Sequence, residues 1–202
     1  MLLSFIRNIM RGAGNKSAPA AQPAGGLLLR LHIGGKITHP DWKILDSRPG
    51  PGVDFVGHCA DLSAFGDNSV AGIYASHVIE HLSYKHELPL ALNEFNRVLV
   101  PGGSALIGVP DLPVLCALYL DPALDAEDRY EVTRMIFGGQ LNSADFQYAG
   151  FDEQSLTARL HDAGFVDVER VATFGLFDDT SNYVFKGRPI SLNLRTRKRR
   201  DV

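Results

Sequence analysis

The chain has 202 residues, of which 45% are hydrophobic and 21% charged, with a formal net charge of −3. These values suit one soluble globular domain with a real hydrophobic core. The charge is uneven. Arg7, Arg11 and Lys16 make the N-terminal arm basic, Arg195, Arg197, Lys198, Arg199 and Arg200 make the C-terminus basic, and the body between them is acidic, which argues against wrapping nucleic acid.

The first ten residues hold a short apolar run, Met1-Leu2-Leu3-Ser4-Phe5-Ile6, whose first positive charge follows it. That order is wrong for a secretory signal. A disordered arm fits, as does a short amphipathic helix that packs on the body or brushes a membrane. No apolar stretch approaches the roughly 20 residues that span a bilayer. Cys59 and Cys116 form no CxxC pair and no disulfide framework, so a reducing, cytoplasmic compartment is expected. Residues 12–26 are rich in Ala, Gly, Pro and Ser and read as a linker. The expected organisation is an arm and linker over 1–26, a domain over 27–190, and a basic tail over 191–202. That tail is either a solvated end or a contact for an anionic surface.

Leu27 to Ile33 is an apolar run ended by Gly34-Gly35 and reads as a buried strand. Lys43 to Asp46 is a second strand, Val53 to Val56 a short third, and Val70 to Ala75 a fourth. Leu88, Ala91, Leu92, Phe95, Val98 and Leu99 recur at helical spacing, with Pro101-Gly102-Gly103 as the stop. Ala105 to Val109 is the next strand. An insertion over about 111–150 reads as helical and irregular. Asp152 is a good N-cap for a helix carrying Leu156 and Leu160, with Gly164 at its end. Phe165 to Val171 and Asn182 to Lys186 read as the last two strands. Alternating strands and helices with two late strands close together predict a mostly parallel sheet with an antiparallel edge.

Candidate chemistry gathers at the predicted strand ends, where open α/β sheets bind ligands. Glycines at 34 and 35 allow close backbone approach to a ligand, or serve a tight turn. From Gly35 to Asp46 is 11 positions, whereas a dinucleotide fingerprint places its acid about 20 further on. The spacing argues against an ordinary nicotinamide site, and Thr38 to Trp42 leave room for one helical turn at most. Asp46 can accept both hydroxyls of a ribose, or cap a turn. Asp61 can accept from an exocyclic amine while Leu62 packs a purine face, or Asp61 caps a turn. Ser76-His77-Val78-Ile79-Glu80-His81-Leu82 passes from apolar strand to titratable residues. It is open to three readings: a pocket wall with a general base, a His-x-x-Glu-His metal set, or a structural histidine pair. Asp111, at another predicted strand end, should face the same crevice. Gln140, Asp145, Phe146 and Tyr148 offer a lid or substrate wall.

In this order and spacing, Ser76 to Leu82, Arg97-Val98-Leu99-Val100-Pro101-Gly102-Gly103, Val109-Pro110-Asp111-Leu112 and Ala163-Gly164-Phe165 resemble the class I, S-adenosylmethionine-dependent methyltransferases. The likeness is to a small bacterial group in the methyltransferase type 11 style, from about Leu27 to Lys186. The resemblance implies a Rossmann-like, mostly parallel seven-stranded sheet with an antiparallel last strand and, here, a shortened first helix. It implies S-adenosyl-L-methionine as cofactor and no metal. It implies that Ile33, Gly34, Gly35 and Lys36 meet the methionine part, Asp46 the ribose, and Asp61 and Leu62 the adenine, with Ser76 and His77 bordering cofactor and acceptor. His77 is the first candidate for a catalytic base, followed by Asp111 and His81. A sugar hydroxyl or small molecule is the expected acceptor. Two departures stand out. His32 occupies the usual acid position of the glycine loop, and Lys36 stands where a glycine is usual, either blocking the pocket or contacting the cofactor carboxylate. They leave a second expectation open, a catalytically degenerate member of the fold that binds or scaffolds.

Overall fold

The computed structural model describes residues 28–142 and 144–200. The expected N-terminal arm and linker lie outside the described residues. The strands are β1 (Leu29–Ile33), β2 (Lys43–Asp46), β3 (Val53–Val56), β4 (Val70–Ser76), β5 (Leu99–Pro110), β6 (Phe165–Arg170), β7 (Val184–Phe185), β8 (Arg188–Pro189) and β9 (Ser191–Lys198). The helices are α1 (Glu87–Val98), α2 (Leu112–Tyr119), α3 (Ala126–Phe137) and α4 (Glu153–Asp162). Seven strands form one sheet in the order β3-β2-β1-β4-β5-β9-β6, and β7 and β8 form a small separate hairpin. The β3–β2, β2–β1, β1–β4 and β4–β5 pairs are parallel, and β9 runs antiparallel to both β5 and β6.

Period-2 alternation decides which face each strand residue serves. Leu31, Ile33, Ile73, Ala75, Ala105, Ile107, Leu192 and Leu194 point to one face and pack with Leu88, Leu92 and Phe95 of α1 and Leu156 and Leu160 of α4. The alternate residues Tyr74 and Leu106 point to the other face and join Trp42, Phe174 and Phe177 in a second cluster. A third cluster, from Leu115, Leu118, Val132 and Ile190, fastens α2 and α3. Asp152 caps α4 in a reciprocal box with Ser155, the arrangement its position before a helical run predicts.

Three elements differ from the sequence reading. The first crossover, residues 34–42, holds no helix, only turns and a bridge between His39 and Trp42. Its place on the sheet is filled in part by Phe174 and Phe177. Asn182 to Lys186 is not a sheet strand but a 3-10 turn followed by one arm of the small hairpin. The last sheet strand is Ser191–Lys198, most of the expected basic tail, inserted between β5 and β6 with Leu192, Leu194 and Thr196 buried. Arg195 and Arg197 are the outward residues of that alternation, so a strand with one polar face looks like a charge run when its period is ignored.

The third crossover, between β3 and β4, also lacks a helix. Arg97 of α1 fixes it instead, donating to Asp67 at 2.6 Å and to the carbonyls of Leu62 and Phe65 at 3.0 Å. Glu94 accepts from the Leu62 N–H at 2.8 Å. These charge-assisted bonds hold the loop after β3 in place beside the strand ends.

Candidate active site

Two adjoining cavities open where β1, β2, β3 and β4 end, of about 770 Å³ and 500 Å³. Gly34, Lys36, His77, His81 and Asp145 belong to both walls. The larger is completed by Asp46, His58, Cys59 and Tyr148, and the smaller by His32, Gly35, Ser76, Glu80 and Asp179.

The glycine pair owes its identity to its neighbours. Gly34 has φ +66°, and a Cβ there would sit 2.7 Å from Val78 Cγ2. A Cβ on Gly35 would fall 2.5 Å from the His32 ring. The loop is thus a backbone surface with no room for side chains. Lys36 does not seal either cavity but lines both. Ile33 is 2% exposed and belongs to the core beneath the loop.

His32, at the end of β1, is 4% exposed. Its ring stacks on Phe177 at 4.1 Å and meets Tyr74 edge-on at 5.0 Å. Burial lowers its pKa, against the opposing pull of Asp179 and a backbone hydrogen bond with Ile37. The position therefore carries a neutral aromatic ring rather than a charge.

Asp46 ends β2 in the wall of the larger cavity, its Oδ1 accepting from the Arg48 N–H at 2.8 Å. After β3 the wall is made by His58 and Cys59, not by Asp61 and Leu62. Leu62 is fully buried in the core, and exposed Asp61 accepts from the Ser63 N–H at 3.1 Å, as a turn cap does. Burial pushes the Cys59 thiol up to about 12. His58, which the sequence reading missed, lies two residues beyond β3, and that position relative to the strand end is the signal that could have found it.

The corner after β4 carries most of the titratable groups. His77 sits at φ +54°, a conformation uncommon for a non-glycine residue, held by a bond from its N–H to the Gly108 carbonyl at 2.8 Å. One of its ring nitrogens is hydrogen-bonded and the other faces a carboxylate. Ser191 Oγ donates to the Thr180 carbonyl at 2.9 Å, so His77 Nε2–H donates to Ser191 Oγ at 2.8 Å. His77 Nδ1 faces Glu80 Oε1 at 3.3 Å. His81 is different. A carbonyl can only accept, so its Nδ1–H donates to the Phe146 carbonyl at 2.9 Å, and in the neutral ring Nε2 keeps its lone pair.

The irregular segment is stitched to this corner. The Glu80 carbonyl accepts from the N–H groups of Tyr148 and Ala149 at 2.8 and 3.0 Å. The Tyr84 hydroxyl accepts from the Gly150 N–H at 2.7 Å. Asp145 and Tyr148 consequently line the larger cavity, Phe146 contributes its carbonyl, and Gln140 turns back on Phe137.

Asp111 does not join them. It caps α2 by accepting from the Val114 N–H at 3.3 Å and pairs with Arg170 at 2.6 Å, in neither cavity wall. Strand β5 runs on through Pro110 and α2 begins at once, which turns the carboxylate to its own helix and to β6. Among the described residues no group of three or more His, Cys, Asp or Glu is arranged to hold a metal ion, and no helix is long and apolar enough to cross a membrane.

Residues 40–107 match the family model described as "Methyltransferase domain". No curated protein matches the chain by sequence. Solved structures match it by fold. A SAM-dependent methyltransferase from Archaeoglobus fulgidus is 16% identical with a TM-score of 0.54, over 86% of this chain and 87% of that one. The CurJ carbon methyltransferase is 12% identical with a TM-score of 0.55, over 89% and 50%. The 1,6-didemethyltoxoflavin-N1-methyltransferase of Burkholderia thailandensis, solved with 1,6-didemethyltoxoflavin and S-adenosylhomocysteine, is 19% identical with a TM-score of 0.51, over 84% and 71%. The chain spans 50% to 62% of the length of two of the solved proteins that it matches. Strand order, the antiparallel β9 and these likenesses together give the chain the Rossmann-like fold of the class I methyltransferases.

Proposed function

We propose that the chain is an S-adenosylmethionine-dependent methyltransferase acting on a small-molecule or glycan acceptor. The observation that carries this is the pair of adjoining cavities at the parallel strand ends, with Gly34, Lys36, His77, His81 and Asp145 common to both walls. The larger space accommodates the nucleoside, the smaller the methionyl end of the cofactor, and an acceptor meets them at the wall they share. The residues present fit the cofactor. The Gly34-Gly35 surface is a cradle that any Cβ would fill, and Ser76 Oγ is buried without a hydrogen-bond partner in the wall beside it.

Asp46 takes the ribose hydroxyls, His58 and Cys59 border the base, and Lys36 receives the methionyl carboxylate. Bound S-adenosylmethionine would supply a methyl group already activated on a sulfonium for in-line displacement. The protein supplies position, a dry wall and a proton acceptor. His81 is that acceptor, because its Nε2 is the imidazole nitrogen left free at the junction of the cavities. His77 orients the corner between Ser191 and Glu80. Cavity walls rich in carboxylates favour a small polar acceptor over nucleic acid. Two unpaired thiols, Cys59 and Cys116, fit a reducing cytoplasm.

The test is transfer of a labelled methyl group from S-adenosylmethionine to a panel of sugars, phenols and amines. With an acceptor in hand, His81→Gln should lower turnover roughly 10²- to 10⁴-fold and leave S-adenosylhomocysteine binding intact. Unchanged turnover in the variant would remove His81 from the mechanism.

A further inference from the structure

Glu80 is completely buried, with 0% exposure, and lines the smaller cavity. Neither of its carboxylate oxygens has a hydrogen-bond partner. His77 Nδ1 approaches Oε1 to 3.3 Å but out of line for a hydrogen bond. Buried carboxylates that take part in no hydrogen bond are costly and rare, so such a group asks for an explanation. Two more buried polar atoms without partners, Ser76 Oγ and His32 Nδ1, belong to residues of the same wall.

The other carboxylates of that wall are served. Asp179 accepts from the Tyr74 hydroxyl at 2.9 Å and from the Ser181 N–H at 2.9 Å. Asp145 accepts from the Leu141 N–H at 3.1 Å, and Asp178 is exposed to water. The end of β1 offers no anion at all, because His32 stands there with its ring packed on Phe177 and closed in by Gly35. The cavity therefore has one desolvated carboxyl group whose oxygens take part in no hydrogen bond, beside His77 Nδ1, and it lies on the β4 side instead of the β1 side.

We infer that Glu80, with Ser76 of the same cavity wall, receives the α-ammonium group of the cofactor's methionyl end, in place of an acid at the end of β1. The inference rests on the cofactor reading above. An ammonium brings three N–H donors and a positive charge, which answer both a carboxylate and a hydroxyl that take part in no hydrogen bond. Glu80 is a binding residue in this account and touches no reacting atom.

Calorimetric titration of wild type and Glu80→Gln tests it. The probes are S-adenosylhomocysteine, its desamino analogue and 5′-methylthioadenosine, alongside the melting temperature of each ligand-free protein. Wild type should prefer S-adenosylhomocysteine over the desamino analogue by roughly ten- to a hundredfold. Glu80→Gln should bind the two alike, bind 5′-methylthioadenosine as wild type does, and melt no lower than wild type. A retained preference in the variant overturns the inference. So does a lowered melting temperature with all three ligands weakened in parallel, which marks a purely structural role. Wild type binding none of the three removes the cofactor reading itself, a failure distinct from wild type binding 5′-methylthioadenosine and S-adenosylhomocysteine equally well.

Discussion

His77 and His81 stand four residues apart in one corner, and what separates them is the hydrogen-bond state of their rings. A base needs a lone pair facing the substrate. His77 spends one nitrogen on Ser191 and turns the other to Glu80, whereas His81 spends one on a backbone carbonyl and keeps the other. The sequence reading puts His77 ahead of His81, and the contacts that argue for the reverse order come from Ser191 and Phe146, 114 and 65 residues away from their partners. Asp111 illustrates the opposite error. An acid after an apolar strand suggests a crevice residue, yet the same position is the N-cap of the next helix, and Pro113 in its first turn favours that outcome. His32 gives a prediction with a definite sign. Its folded pKa lies below the ordinary value of 6.5 through burial. As pH falls through that value the unfolded chain binds the proton and the folded chain does not, so stability is full above about 6.5 and declines on acidification. Between pH 7.5 and 5.5 the melting temperature of wild type should fall more than that of His32→Phe, which keeps a ring against Phe177 and cannot titrate. Equal falls would mean that His32 is not held neutral.

At the scale of elements, the strands β1, β2 and β4 and the helices α1 and α4 were legible because their signals are local: apolar runs, a 3.6-residue stripe, an N-cap three residues before Ser155. Strand β9 was hidden by composition. Its Arg195 and Arg197 dominate the eye, while Leu192, Leu194 and Thr196 carry the alternation that matters. Adjacent residues there should behave in opposite ways. Leu194 is 0% exposed, so Leu194→Ala should cost about 2–5 kcal/mol in urea denaturation. Exposed Arg195→Ala should stay within about 0.5 kcal/mol. Similar costs for the two would deny that this segment is an inner strand. The missing first helix was foreseen in part from the short span between Gly35 and Asp46, but its replacement by Phe174 and Phe177 joins segments more than 130 residues apart and leaves no local trace. The wall made by His58 and Cys59 was missed for a related reason: the Asp61-Leu62 pair has the right residue types, but the strand ends earlier and Leu62 is drawn into the core by Arg97 and Glu94 around its backbone.

For the whole molecule, the sheet order places four parallel strand ends side by side, and the loops that leave them converge on two connected spaces. The fold thus concentrates Asp46, Lys36, His81 and Glu80, which lie up to 45 positions apart in the chain, on one crevice. The departures at His32 and Lys36 change which side chains carry charge there without closing it. In the proposed function this crevice binds S-adenosylmethionine. Calorimetric titration of the purified protein with S-adenosylmethionine and S-adenosylhomocysteine, with Asp46→Ala as control, tests it most directly. Saturable binding by wild type, weakened at least about tenfold in the variant, a loss of about 1.4 kcal/mol, is the expected result. A well-folded wild type that binds neither compound up to roughly millimolar concentration, or an Asp46→Ala variant that binds as wild type does, would contradict it.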